Sequence, residues 1–131
     1  MNTKKVLFIC RENACRSQMA QGFFNTSITN IWAESAGISP IDKVDPIAIK
    51  VMEEIGVDIS QKKPKILTPE MNDEFDYIIT MGCIDSCPTT SKEKTIEWSI
   101  EDPKGKPIEK YRDIRDLIKH HVEELIDEVI N

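Results

Sequence analysis

The chain has 131 residues, of which 40% are hydrophobic and 31% charged, and its formal charge is −6 at pH 7. That length supports one hydrophobic core, so a single domain over 1–131 is expected, and the acidic balance argues against nonspecific nucleic-acid binding. No apolar run approaches the roughly 18 residues of a membrane span, and the short apolar stretch after Lys4-Lys5 is too brief for a signal-peptide core, so a cytoplasmic chain with no membrane partner is expected.

The first element is a buried strand, Val6-Leu7-Phe8-Ile9, running directly into Cys10. Arg11, Glu12, Asn13, Ala14 and Cys15 separate that cysteine from Arg16, and Ser17 follows at once. A helical pattern then begins, with Met19, Ala20, Phe23 and Phe24 on one face. Strand, tight loop and helix start in that order form an oxyanion site. Backbone N–H groups of Arg11 to Ser17 can curl round one centre, and the helix N-terminus adds unpaired donors and the positive end of its dipole. Arg16 supplies a planar fork that matches two oxygens of a tetrahedral anion. The same field favours a thiolate on Cys10, making it a nucleophile. Ser17 can donate a hydrogen bond to the sulfur, and Asn13 tolerates the left-handed backbone that such a loop needs.

Further along, Ile31 to Gly37 reads as a second strand. Asp45-Pro46 is a helix start, with Asp45 as cap and Pro46 in the first turn. Ile47, Ala48, Val51, Met52 and Ile55 form an apolar stripe, and Gly56 ends that helix. Thr68-Pro69-Glu70 suggests a short helical turn before Phe75. Tyr77 to Met81 is a clear strand broken by Gly82, and Lys94 to Trp98 is a weaker one. The stretch from Gly82 to Lys94 reads as a polar, mobile loop. Asp102-Pro103 marks a rigid turn, with Asp102 held extended by the proline. Pro107 opens the last helix, whose stripe runs through Ile108, Tyr111, Ile114, Leu117, Ile118, Val122, Leu125, Ile126 and Val129. Alternating strands and helices predict an α/β fold, a three-layer α/β/α domain on a central four-stranded parallel sheet. Ligands of such sheets bind beyond the carboxyl ends of strands, where Cys10 and Cys83 both stand.

Four cysteines in a cytosolic chain are free thiols, metal ligands or redox participants rather than structural disulfides. Cys83 and Cys87, in Cys83-Ile84-Asp85-Ser86-Cys87-Pro88, admit four readings. They can form a redox pair passing oxidation outward from Cys10, half of a zinc site, incidental members of a phosphatase loop, or small residues in a turn. Zinc needs two further ligands, and the adjacent His120 and His121 point about 100° apart on a helix.

These residues resemble a known family. Cys10-x5-Arg16-Ser17 after an N-terminal strand is similar to the low-molecular-weight tyrosine phosphatase superfamily, and Asn13 to Ala20 resembles its arsenate reductase branch. The resemblance implies a low-molecular-weight phosphatase-like (flavodoxin-like) fold with no cofactor and no bound metal. In the thioredoxin-coupled branch a cysteine pair follows this same strand and relays oxidation outward; Met81-Gly82-Cys83 and Cys87-Pro88 resemble that segment, with the two cysteines closer together than in its bacterial members. Asp102-Pro103 matches the superfamily's general-acid loop, and Glu97-Trp98 upstream resembles the reductases.

Carried over residue by residue, the resemblance implies arsenate reduction. Cys10 attacks arsenic, Arg16 holds the anion and Asp102 protonates the leaving oxygen. Cys83 and Cys87 complete a relay recycled by a thioredoxin-type reductant, and Cys15 is left as a structural residue. A monomer is expected. Some reductases of the branch bind potassium through an asparagine, a glutamate and a serine; Asn13 and Ser35 stand at two of these positions and Gln21 at the glutamate's. The alternatives are a low-molecular-weight phosphatase and a non-enzymatic redox or oxyanion sensor. A protein phosphatase would carry aromatic residues soon after the Asp-Pro, whereas Lys104-Gly105-Lys106-Pro107 stands there.

Overall fold

The computed structural model describes residues 4–82 and 94–130. The elements are β1 (Lys5–Cys10), α1 (Arg16–Ser27), β2 (Trp32–Gly37), α2 (Pro46–Glu53), α3 (Met71–Glu74), β3 (Tyr77–Met81), β4 (Thr95–Trp98) and α4 (Ile108–Ile130). The four strands form one sheet in the order β2-β1-β3-β4, and every pairing is parallel.

β1 is central and buried on both faces, which explains its unbroken apolar run. Successive side chains alternate between faces. Val6, Phe8 and Cys10 enter the larger cluster with Met19, Phe24, Ile79 and Ile118, while Leu7 and Ile9 join the smaller one with Ala36, Phe75 and Ile78. Phe8, Leu7 and Ile9 are fully buried, each stabilising the fold by about 1.5–3 kcal/mol. The layers are unequal. α1, α2 and α4 supply the larger cluster, whereas the smaller is closed by α3's Met71 with Ile38 and Leu67.

α2 starts as its sequence predicts: Asp45 Oδ1 accepts from Ile47 N at 2.9 Å and Pro46 occupies the first turn. Gly56 ends this region at φ 84°, a conformation that glycine adopts without a Cβ penalty. The buried stripe is narrower than predicted, because Ile47 and Ile55 are exposed. On α4 the stripe is buried at Tyr111, Ile114, Ile118, Val122, Leu125 and Val129, while Leu117 is exposed.

Arg115 is also buried, against the pattern. Its Nη1 donates to Val51 O and to Glu54 Oε1, each at 2.9 Å. Arg112 grips the same carboxylate through Nε at 3.1 Å and Nη2 at 2.8 Å. These bonds, those from Arg112 foremost, hold the Glu54 carboxyl down from its ordinary 4.5 to about 2. A carboxyl depressed in the folded state stabilises it above its unfolded pKa, and that contribution is lost as pH falls through the folded value. Glu54→Gln is therefore expected to lower stability in urea titrations above about pH 4.5, with the gap to the native chain closing as pH approaches 2. A gap independent of pH would rule out the clamp.

Candidate active site

β1 delivers Cys10 to the carboxyl edge of the sheet, and the chain turns through residues 11–15 into α1. What shapes this turn is the fate of its carbonyls. Cys10 O accepts from Ile38 N at 3.4 Å, Arg11 O from Ser39 N at 2.8 Å, Glu12 O from Ile41 N at 3.3 Å and Ala14 O from Asp45 N at 2.8 Å. Asn13 O accepts from Gln18 Nε2 at 3.0 Å, and Cys15 O from Met19 N at 2.9 Å. Six consecutive carbonyls thus point to donors outside the loop. In a planar trans peptide the next N–H points the opposite way, so the amides of Arg11 to Arg16 turn toward a common interior.

Asn13 sits at φ 53°, the one non-glycine residue with positive φ among the described residues. The loop rests on the bare backbone of Gly37, where a Cβ would come within 2.8 Å of Asn13 N. Asn13 Oδ1 accepts from Lys65 N at 2.9 Å and from Gln18 Nε2 at 3.2 Å. That fixes its amide, so Nδ2 donates to Ser17 Oγ at 2.7 Å. With its oxygen occupied as an acceptor, the Ser17 hydroxyl is free to donate to Cys10 Sγ, 2.9 Å away. Ser17 N lies 3.4 Å from the same sulfur and donates to it. Two donors and a helix N-terminus thus surround the sulfur of Cys10, a residue 2% exposed.

The second thiol in the loop differs. Burial pushes Cys15 well above its ordinary pKa, and proximity to Cys10 adds to the shift. Burial thus favours its neutral thiol form.

Arg16, 6% exposed, is anchored from behind. Its Nη1 donates to Met81 O at 2.8 Å and Ile100 O at 2.9 Å. Nη2 lies 3.7 Å from Asp102 Oδ2, leaving Nη2 and Nε for an anion. Gly82, at φ 77°, passes so close that a Cβ would fall 2.8 Å from Nη1. Gly82 N also donates to Glu97 Oε2 at 2.9 Å, and Glu97 Oε1 accepts from Thr80 Oγ1. The structure therefore brings Cys10, Arg16 and Asp102 to one cavity of about 460 Å³. Cys83 and Cys87 lie outside the described residues, as does most of the expected mobile loop.

The far wall of the cavity is residues 41–46, which sequence reasoning did not connect with the site. It comprises Ile41, Asp42, Lys43, Val44, Asp45 and Pro46. Asp45 ties three elements together: it caps α2, donates to Ala14 O and accepts from Tyr111 on α4 at 2.5 Å. Burial, then the bond to Asp45, push the Tyr111 hydroxyl well above its ordinary pKa. The one legible signal for this wall was the Asp45-Pro46 cap itself.

No group of three His, Cys, Asp or Glu side chains among the described residues is placed to hold a metal ion. His121 stacks on Trp98 at 5.0 Å, and His120 lies 3.7 Å from Glu124. Nor do Asn13, Gln21 and Ser35 fit a cation site. Ser35 Oγ donates to Gln21 Oε1 at 2.6 Å, Asn13 Oδ1 already accepts two bonds, and the carboxylate charge is missing.

Residues 5–131 match the model for "Low molecular weight phosphotyrosine protein phosphatase". The chain belongs to this low-molecular-weight phosphatase family. Within it, the chain is 38% identical to a glutaredoxin arsenate reductase of Synechocystis, covering 96% of this chain and 98% of that one. A solved arsenate reductase in the phosphate-binding state superposes with a TM-score of 0.84 at 37% identity, covering 96% of this chain and 98% of the other. A thioredoxin-dependent arsenate reductase of Corynebacterium glutamicum gives 0.83 at 33% identity, covering 97% of this chain and 62% of that one. The fold expected from the sequence is thus the fold of the low-molecular-weight phosphatase family, and no helix among the described residues is long and apolar enough to cross a membrane.

Proposed function

We propose that the chain reduces arsenate to arsenite by a three-cysteine relay. The observation that carries this reading is the inverted loop over Cys10: six carbonyls bonded outward leave a ring of amides for a tetrahedral oxyanion. The names of the relatives at 33–38% identity favour arsenate as that anion.

In the proposed reaction the amides of Arg11 to Arg16 and the free edge of Arg16 hold arsenate, while Ser17 donates to the Cys10 sulfur. The Cys10 thiolate attacks arsenic, forming an S–As bond, while an As–O bond breaks. Asp102 gives its proton to the departing oxygen, which leaves as water, a contribution worth roughly 10²–10⁴ in rate. The Cys83 thiolate then attacks Cys10 Sγ. The S–As bond breaks with its electron pair remaining on arsenic, which leaves as arsenite, and a Cys10–Cys83 disulfide forms. Cys87 attacks Cys83, releases Cys10 as thiolate and leaves a Cys83–Cys87 disulfide. A thioredoxin-type dithiol reduces that bond. Gly82, the last described residue before Cys83, packs against Arg16.

Cys87→Ser is expected to give about one arsenite per chain and then stop, with a Cys10–Cys83 disulfide visible by mass spectrometry. Sustained turnover by that variant would refute the order of the relay. The reductant is tested by supplying arsenate with thioredoxin, thioredoxin reductase and NADPH, or with glutaredoxin and glutathione. Turnover only with the second system would replace thioredoxin by glutaredoxin, and turnover with neither would refute the reduction.

A second reading, hydrolysis of small phosphomonoesters, is favoured by one observation. The cavity of about 460 Å³, walled by Ile41, Val44 and Pro46, is roomier than a tetrahedral anion requires. It uses the same Cys10, Arg16 and Asp102 for its first step. An aryl phosphate turned over faster than arsenate would favour it.

A further inference from the structure

The cavity carries an imbalance that a cradle for oxyanions would not be expected to tolerate. Its charged lining is Glu12, Asp42, Asp45 and Asp102 against Arg16, Lys43 and Lys104. Acidic side chains outnumber basic ones four to three around a site for a multiply charged anion, before the Cys10 sulfur is counted. Glu12 is the most awkward of them, since it belongs to the oxyanion loop itself. Its side chain is answered from across the cavity. Lys104 Nζ meets both carboxylate oxygens, at 3.0 and 2.9 Å. Lys104 N in turn donates to Asp102 Oδ1 at 3.0 Å. One residue therefore neutralises the loop's carboxylate and holds the loop carrying the acid, with Asp102 lying 3.7 Å from Arg16 on its other side.

We propose that Lys104 is an affinity-setting residue for the oxyanion: by neutralising Glu12 at the rim of the cavity it keeps the cradle attractive to anions, and it holds the Asp102 loop against the oxyanion loop. This rests on the oxyanion-binding reading of the loop and goes beyond it by assigning the anion's affinity to a pair outside the cysteine, arginine and aspartate. Consistent with the geometry, the bond to Glu12, with smaller contributions from Asp102 and Asp45, raises the Lys104 pKa, so it stays charged throughout the physiological range. The pair is solvent-accessible, with the lysine side chain 57% exposed. Its effect is therefore moderate and screened by salt.

The test is a cycle of Lys104→Ala, Lys104→Arg, Glu12→Gln and the double variant Glu12→Gln/Lys104→Ala. Inorganic phosphate serves as an inert probe in calorimetry, and arsenate KM and kcat are measured in parallel. Lys104→Ala is expected to weaken phosphate binding and raise the arsenate KM by roughly fivefold at low salt, with a smaller effect on kcat. The penalty should shrink at about 0.5 M salt. Lys104→Arg should bind phosphate within about twofold of the native chain. The double variant should recover most of the lost affinity, because removing the carboxylate removes the need for its partner. Unchanged phosphate affinity in Lys104→Ala, or a loss that Glu12→Gln fails to restore, would overturn the proposal. Phosphate binding decides this even if the native chain fails to turn over arsenate, an outcome that would refute the reduction reading alone.

Discussion

Cys10→Ser is expected to retain phosphate binding and to lose arsenate turnover by at least about 10³-fold. The reason is chemical before it is structural. The serine hydroxyl is far less acidic than a thiol, so the donors from Ser17 that favour a thiolate have no anion to stabilise. An alkoxide on arsenic would also leave no sulfur for a second thiolate to attack, so the electron pair would have no route to arsenic. The cradle does not depend on the sulfur. Its shape comes from carbonyls bonded to residues 38–45 and to α1, and none of those bonds uses the Cys10 side chain. Cys15 cannot substitute, because burial keeps it a neutral thiol. Rates of arsenite formation, read beside phosphate affinity in the same variant, check both halves. Retained turnover would end the assignment of Cys10 as nucleophile. Lost phosphate binding would mean that the sulfur also shapes the loop.

What could be read in advance follows from how far apart in the chain the cause lies. β1, α1 and the loop between them are local: an apolar run, a helical stripe and a cysteine-to-arginine spacing lie within 5–27 and are enough to predict their form. The cap at Asp45 is legible for the same reason, since donor and acceptor are two residues apart. The wall at 41–46 is not, because it is held by bonds from its amides to the carbonyls of Glu12 and Ala14, and no pattern in 41–46 encodes a partner some thirty residues away. Lys65, whose amide orients Asn13 and through it Ser17, is hidden in the same way. The buried Arg115 breaks an apolar stripe and looks like a solvated residue until Val51 and Glu54 are brought to it. Asp102 shows the opposite case. Asp-Pro is a common turn, and resemblance to a family marked it out; the geometry then brings its carboxylate beside Arg16.

Arg16→Lys is expected to lower kcat/KM for arsenate by about 10²–10³-fold, the scale of losing a preorganised donor at an oxyanion, and to lower the melting temperature as well. Arg16 does two jobs with one planar group. Nη1 fastens the ends of β3 and of the segment after β4 through Met81 O and Ile100 O, while Nη2 and Nε remain for the anion. A lysine offers a single ammonium on a flexible stem. If it bonds the two carbonyls it cannot also cradle the anion, and if it reaches the anion it leaves buried carbonyls unpaired, at about 1–3 kcal/mol each. Gly82 sharpens the choice, because its bare backbone abuts Nη1 and the gap left by the missing guanidinium cannot be closed by a glycine. Thermal melts and kinetics on the same preparation separate the two losses. A lysine variant that melts like the native chain would show that the carbonyl anchors contribute little. One that also keeps native kcat/KM would show that a point charge suffices, and the planar fork would lose its place in the mechanism.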